Sequence, residues 1–361
     1  MSFDGSTTTV VAIRLRQLGD VLCTLGSLRA LKRAAPDHRI VFVVDRAYHS
    51  LLRGVKFVDL LVAEPPKLAG LDGLTAYDGY IEYLRRLHPS RTLDFHSNTR
   101  SALLAFLTGA PVRVGFDVRV RKVFYTDVEP RTALQNGKPR SSHESALALV
   151  RRAGYVGARG GPLDTIPVTD EERRDGRRLL AGSGVPAAAL DRGWVVGLNP
   201  GGPYPSKAWP TPRFGRLARM LHDEGMATVI LWGPNERQEA ERIVEASGAV
   251  AHLAPSLSLD KLPGVLRNVS VVVTIDSGLK HLAVAVGTPT ITLFGPTSPH
   301  EWHIGGERDR YLHPGVSCSP CRLRECPYDT PCMTLITPEE VRLAVLEMVR
   351  EPSARGAPGD P

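Results

Sequence analysis

The sequence predicts an α/β protein made of two doubly wound domains, each a parallel sheet covered by helices on both faces. Three observations carry this. Apolar, β-branched runs alternate with stretches of helical period along the whole chain. Small-residue turns follow several of the runs at their C-terminal ends. The chain also has 361 residues, more than one hydrophobic core usually serves.

The first half opens with "TTTVVAIRLR", a β-branched run suited to a buried strand. After the turn "QLGD", the stretch "VLCTLGSLRALKRAAP" spaces its apolar residues as a helix and stops at Pro36. "RIVFVVD", "VDLLVAE", "RTLDFHS" and "PVRVGFD" read as further strands, with "TRSALLAFLTGA" and "ESALALVRRAGY" as helices. Around residues 160–193, Gly-Gly-Pro, the charged helix "DEERRDGRRLLAG" and "SGVPAAALDRG" read as a linker region. The plan then repeats. "GWVVGLNPGG" is a strand running into a glycine turn, and "TPRFGRLARMLHDEG" is an amphipathic helix started by Thr-Pro and stopped by Gly225. "MATVILWGP", the helix "NERQEAERIVEASG" and the strand "VSVVVTI" follow. Domains are therefore expected over residues 1–165 and 166–350, with the Pro/Gly-rich 351–361 as a disordered tail.

Composition is that of a soluble globular protein, 42% apolar and 23% charged. No window reaches the roughly 18–20 apolar residues of a transmembrane helix. The N-terminus lacks the basic, apolar and small-residue regions of a secretion signal, so a cytoplasmic location is expected. Charge is uneven. Residues 1–165 hold 24 Lys and Arg against 15 Asp and Glu, a net +9; the remainder holds 21 against 23, a net −2. A basic half beside a near-neutral half points to an anionic partner for the first domain, or simply to an Arg-rich surface. Nucleic acid is disfavoured: the basic residues are scattered, without a helix-turn-helix, zinc-finger or RNA-binding aromatic pattern.

Four turns at strand ends carry candidate chemistry: Gly19-Asp20, Pro200-Gly201-Gly202 with Lys207, Gly233-Pro234-Asn235-Glu236, and Asp276-Ser277-Gly278. Doubly wound folds bind ligands at this edge of the sheet. At Ser277 and Gly278 a helix start offers main-chain N–H groups to an anion, whereas Asp276 alone would read equally well as an N-cap. His281, five residues on, points either to the ligand edge or into packing. Lys207 sits in the proline-stiffened "PYPSKAWP" and could neutralise a diphosphate leaving group. Asp20 reads as another N-cap, or as a general base toward an acceptor hydroxyl. G-x-G-x-x-G and G-x-x-x-x-G-K-[ST] are both missing, which disfavours a nicotinamide oxidoreductase and a P-loop nucleotidase. An Asp-x-Asp pair that would hold a divalent ion against a sugar nucleotide is missing too. Any diphosphate leaving here relies on cationic and main-chain groups.

These residues resemble a known family, the bacterial heptosyltransferases of lipopolysaccharide core synthesis (glycosyltransferase family 9). "IRLRQLGDVLCTLGSLRALKRAAPDHRI" resembles the family's opening strand, turn and helix, and "LDFHSNTRSALLAFLTGAPVRVGFD" its acceptor segment. "GLNPGGPYPSKAWPTPRFGRLA" resembles the donor-phosphate loop, and "TIDSGLKHLAVAVGTPTITLFGPTSPHEW" its strongest signature. The resemblance runs in order from about residue 8 to 350. It implies a GT-B fold, two Rossmann-like domains facing across a cleft, with acceptor on the first domain and ADP-heptose on the second. It implies direct, inverting displacement without a catalytic metal or cofactor. Position by position, it makes Asp20 the base and Lys207 the contact to donor phosphate and sugar. Gly201, Gly202, Asp276, Ser277, Gly278 and His281 become donor contacts. Whether Asn235 or Glu236 holds the nucleotide ribose stays open. His96 stands where many members have Gln.

Beside it, the basic first domain suits a phosphorylated glycolipid, with Arg14, Arg16, His96, Arg100, Arg113, Arg119, Arg121 and Lys122 as acceptor contacts. Peripheral, salt-sensitive attachment to the inner membrane surface and a monomeric state are expected. Two other readings stand beside this one: a related transferase using another sugar nucleotide or a soluble acceptor, and a non-catalytic sugar-nucleotide-binding protein.

Cys23 lies in the first helix pattern as a small hydrophobe. Cys318, Cys321, Cys326 and Cys332 form C-x2-C-x4-C-x5-C, which in a cytoplasmic protein points to metal before disulfide. Structural zinc is the first expectation, with an iron–sulfur cluster, disulfides or free thiols left open. "CSPCRLRECPYDTPCMTLITPEEV" matches a Cys-bearing subset of the family, which does not decide among these.

Overall fold

The computed structural model describes residues 8–65, 70–131, 134–135, 138–161, 163, 165–202, 204–303, 306 and 308–350, without the side chains of 70–75, 134, 135 and 138. The tail expected over 351–361 lies outside the described residues. The chain divides into two compact units, Met1–Pro167 and Val168–Pro361.

The first unit runs β1 (Thr9–Ile13), α1 (Leu18–Ala34), β2 (Arg39–Val44), α2 (Arg46–Leu52), β3 (Leu60–Ala63), α3 (Gly70–Arg86), β4 (Pro89–Asp94), α4 (Thr99–Leu107) and β5 (Val112–Phe116). A 3-10 turn (Arg119–Phe124), β6 (Asp127–Glu129), a short hairpin of β7 (Leu134–Gln135) and β8 (Lys138–Pro139), and α5 (Ser142–Arg152) complete it. Its six-stranded sheet has the order β3-β2-β1-β4-β5-β6, every pairing parallel.

The second unit runs α6 (Asp170–Gly182), α7 (Ala187–Arg192), β9 (Val195–Asn199), a 3-10 turn (Pro205–Lys207), α8 (Thr211–Asp223), β10 (Ala227–Ile230), α9 (Arg237–Ala246) and β11 (Ala251–Leu253). Then come α10 (Leu262–Leu266), β12 (Val271–Ile275), α11 (Gly278–Ala285), β13 (Thr290–Leu293), α12 (Pro299–Trp302), β14 (Asp309–Leu312), α13 (Pro331–Thr334) and α14 (Pro338–Arg350). Its sheet repeats the parallel order β11-β10-β9-β12-β13-β14.

Both sheets are thus wound outward in two directions from a central strand. Strand order reverses between β1 and β4 in one and between β9 and β12 in the other, and the loops leaving those strands diverge there. Sandwiching by helices explains why the central strands are apolar on both faces: Val10–Ile13 and Val271–Val273 are fully buried. Helix starts follow local chemistry. Ser141 and Glu144, and Thr169 and Glu172, each close a capping box before α5 and α6, and Asn98 with Ser101 does so before α4.

The region expected to be a linker is partly built into the second unit. α6 packs on α10 so closely that a Cβ on Gly176 would lie 2.1 Å from the main chain of Gly264, and one on Gly264 2.1 Å from the carbonyl of Glu172. Only glycine fits at either position. Among the described residues no helix is long and apolar enough to cross a membrane.

Candidate active site

In each unit several of the sequence-derived candidates lie at the strand-order reversal, and each unit is described by itself. In the first, β1 ends at Ile13 and delivers Arg14, Arg16 and Asp20; β4 ends at Asp94 and delivers His96. Asp20 is not an N-cap. Gln17 occupies the cap position of α1, at φ 67° and without a side-chain cap bond, and Asp20 sits in the first helical turn. Its carboxylate pairs with Arg14 at 2.5 Å and its carbonyl accepts from the Thr24 hydroxyl. Arg14 also donates to the carbonyl of Phe95, tying the β1 end to the β4 end.

Asp94 fixes the loop after β4. Its carboxylate accepts from the main-chain N–H of His96 and Ser97, each at 2.9 Å, and from the Tyr125 hydroxyl at 2.7 Å. Burial pushes the His96 imidazole down to about 4, helped by the surrounding guanidiniums of Arg14, Arg100, Arg131 and Arg16. His96 is therefore a neutral ring within a cationic cluster, with its Nδ1 buried and lacking a hydrogen-bond partner. Arg131 escaped the sequence reading because it lies 35 residues beyond His96, in a loop without strand or helix signal. Arg100 belongs to the cluster but already has a partner, Glu64, at 2.7 Å. Glu64 is only 4% exposed and also accepts from Tyr77. Arg119, Arg121 and Lys122 lie on the 3-10 turn after β5.

In the second unit β9 ends at Asn199 and β12 at Ile275. The ammonium of Lys207 donates to the Asp276 carboxylate at 2.7 Å and to the Asp276 carbonyl at 3.1 Å. The Thr297 hydroxyl donates to the same Asp276 oxygen at 2.8 Å. Asp276 is thus no N-cap but the hub joining the Lys207 loop to the turn after β13. Burial pushes its carboxyl up, and the Lys207 ammonium outweighs this, holding it below the usual carboxylate range. An ammonium has three N–H donors and Asp276 takes two, which leaves one for a ligand.

Ser277 is the N-cap residue of α11, yet its hydroxyl donates away from the helix, to Asn199 Oδ1 at 3.1 Å. The first N–H groups of α11 are therefore not capped by that side chain, the condition under which a helix start takes an anion. Asn199 also donates to the Leu231 carbonyl and accepts from Thr274, joining β9, β10 and β12 at their tips. Asn199 was missed by sequence reasoning. An amide closing the apolar run "VVGLN" was the one signal for Asn199.

Asn235 and Glu236 take different places in the turn after β10. Glu236 accepts from the Gly233 N–H at 2.7 Å, and a Cβ on Gly201 would meet its carboxylate at 1.9 Å. Asn235 instead supplies the reversed turn, at φ 68°. Gly202 faces Ile275, with a Cβ there 2.6 Å from that side chain.

A family model, Glycosyltransferase family 9 (heptosyltransferase), matches residues 81–331. Lipopolysaccharide heptosyltransferase 1 of Escherichia coli O18:K1:H7 is 37% identical over 301 residues, covering 80% of this chain and 86% of that protein. The chain belongs to glycosyltransferase family 9. Similarity to lipopolysaccharide heptosyltransferase 1 of Pseudomonas aeruginosa is more local, 32% over 148 residues, 38% of this chain and 42% of that protein. The solved structure of Escherichia coli ADP-heptose lps heptosyltransferase II superposes with a TM-score of 0.75 at 20% identity, over 95% of this chain and 98% of that one. That likeness supports the GT-B fold.

Within this family 9 glycosyltransferase the Cys-rich segment departs from expectation. Cys318, Cys321, Cys326 and Cys332 do line one small pocket, together with Pro296 and Tyr328. Among the described residues, however, no three His, Cys, Asp or Glu side chains converge as a metal site. The structure therefore does not support the zinc expectation. Burial, with the neighbouring thiols next, pushes the Cys332 thiol up to about 11. The segment instead supports the donor loops. The Ser206 hydroxyl donates to the carbonyl of Leu323 and its main-chain N–H to the carbonyl of Arg324, Ser319 donates to the carbonyl of Gly295, and the Arg322 N–H donates to the carbonyl of Pro296.

His281 is a packed residue, 3% exposed, with its ring edge-on to Trp302 at 5.9 Å. Neighbouring Lys280 is fully buried, donates to the Trp302 carbonyl and lies 5.3 Å from the Phe294 ring centroid. Burial, with Lys280 next, pushes the His281 imidazole down to about 3. The sign follows: between an unfolded value near 6.5 and about 3, the unfolded chain binds a proton that the folded chain refuses. Stability is expected to fall as pH drops through that window, with up to about 5 kcal/mol of the loss traceable to this group. Urea melts of wild type and His281→Leu at pH 7, 5.5 and 4 check it, the variant showing the flatter slope.

Proposed function

We propose that this glycosyltransferase moves a heptose from ADP-heptose to a sugar hydroxyl of a lipopolysaccharide inner-core acceptor, inverting the anomeric carbon. The observation that carries the reading is the Lys207–Asp276–Thr297 cluster beside the uncapped start of α11, a cation and main-chain N–H groups suited to a diphosphate. Relatives whose names state ADP-heptose and lipopolysaccharide supply the sugar and the acceptor class.

In this reading Asp20 takes the proton from the attacking hydroxyl, and the acceptor oxygen bonds to the anomeric carbon as the bond to the diphosphate breaks. Negative charge on the departing ADP is carried by Lys207 and by the main-chain N–H groups of Ser277 and Gly278. Glu236, held by Gly233 and set against Gly201, accepts from the nucleotide ribose. Arg14, Arg16, Arg100 and Arg131 around His96 form the pole that faces the anionic groups of the acceptor. Contact with the membrane surface is peripheral, and the chain acts as a monomer.

The test compares ADP-, GDP- and UDP-sugars by thermal stabilisation and then by transfer. ADP-heptose is expected to raise the melting temperature most, by several degrees at saturating ligand, and to label heptose-free lipopolysaccharide. Preference for a UDP- or GDP-sugar would overturn the donor assignment. Binding without transfer to any acceptor would make the protein a sugar-nucleotide binder.

A further inference from the structure

In the first unit, four large apolar side chains stand in water on two elements that pack together. Leu103 and Phe106, three apart on α4, are 44% and 48% exposed. Val120 and Val123, three apart on the 3-10 turn after β5, are 79% and 67% exposed. In a 3-10 helix, side chains three apart eclipse, so the two valines form one ridge. Phe106 meets Phe124 edge-on at 5.9 Å, which joins the two elements.

The surroundings of this ridge are cationic. From Thr99 to Tyr125 the chain carries five basic residues (Arg100, Arg113, Arg119, Arg121, Lys122) and one acidic residue (Asp117), a net +4. Arg113 stacks over the Phe106 ring at 5.4 Å and donates to the carbonyls of Ala110 and Phe124, which are uncharged acceptors. Lys122 reaches Asp117 at only 3.9 Å, with both side chains about half exposed. Neither the acceptor cluster around His96 nor the donor cluster uses Val120 and Val123.

We infer that Val120 and Val123, flanked by Arg119, Arg121 and Lys122, form a membrane-docking ridge whose occupant is an anionic phospholipid surface. The pattern commits to lipid because apolar tips ringed by cations match a bilayer edge: the valines enter the acyl boundary while the cations stay at the phosphate level. A cation patch alone would bind anionic lipid with electrostatics only; the apolar ridge adds a part that salt does not screen. The purpose of the ridge, bringing the chain to a glycolipid acceptor, rests on the proposed function, but lipid binding itself is measured separately.

The experiment is co-sedimentation of the full chain with phosphatidylethanolamine/phosphatidylglycerol vesicles and with phosphatidylcholine vesicles, for wild type and for Val120→Ser/Val123→Ser. Both valines are largely exposed, and unchanged melting curves confirm that the variant folds. Wild type should bind the anionic vesicles and leave phosphatidylcholine largely unbound, and the double variant should bind at least about tenfold more weakly. Transfer to a deacylated, water-soluble acceptor should be equal in the two proteins. Equal vesicle binding by both proteins overturns the ridge, as does absence of binding by wild type. A concentration-dependent dimer lost in the variant, without vesicle binding, would make the ridge a protein contact and also overturn the proposal. Vesicle binding that depends on the valines, together with failure of every lipopolysaccharide acceptor, would sink the acceptor reading and leave the ridge standing.

Discussion

Asp20→Ala is expected to lower the turnover of heptose transfer by about two to four orders of magnitude, the range attached to a general acid or base. Affinity for ADP should change little, because Asp20 belongs to the first unit and the Lys207–Asp276 pair, proposed to meet the diphosphate, belongs to the second. Asp20→Asn sharpens the test. The amide keeps the size of the side chain and can still accept a bond from Arg14, yet it cannot take up a proton. Equal loss in both variants assigns the effect to proton transfer, whereas substantial activity in the amide variant would reduce Asp20 to a structural partner of Arg14. Single-turnover rates and ADP titrations on the same preparations separate chemistry from binding.

Removing one member of the buried pair should have the second large effect. Lys207 and Asp276 are 12% and 6% exposed at the side chain, so neither is well hydrated when its partner is lost. Lys207→Met leaves the Asp276 carboxylate with the neutral Thr297 hydroxyl as a donor; Asp276→Leu leaves an ammonium beside the main-chain carbonyl of residue 276. Each single variant is expected to lose about 3–5 kcal/mol of stability, and the double variant markedly less than the sum. Function should not recover with stability. Both Lys207→Met proteins, single and double, should bind ADP-heptose about tenfold to a hundredfold more weakly, since a charge-assisted bond to the diphosphate is gone. Denaturant melts and donor titrations on the four proteins of the cycle check both halves. Additive losses would mean the pair is not coupled.

Most of the fold was legible because parallel strands buried on two faces must be apolar, and the helices between them must show one apolar stripe. The same logic misled at α6. Its run of Asp, Glu and Arg reads as a charged helix in a linker region, and the packing that holds it rests on a glycine, which carries no hydropathy signal. The candidate site was legible where a turn announces itself by glycine, proline or a capping residue. Asn199 was not, because its importance comes from partners across the sheet rather than from neighbours in the chain. Arg100 shows the converse: its charge is visible in the sequence, while the buried Glu64 that neutralises it lies 36 residues away. For the cysteines, spacing reports the order of the thiols along the chain and not their directions in space. Four thiols reached one pocket without forming a metal site.

The contact of α6 with α10 also limits which sequences this half of the protein can explore. A methyl group at residue 176 or 264 meets a peptide group, not the movable end of a side chain. No neighbouring substitution can make room for it unless the two helix axes themselves move apart. Each position therefore admits a single amino acid at this crossing distance, and the two are tied to each other. Should a relative carry alanine at one of them, its helices must cross at a wider separation, and the change would be readable from sequence alone.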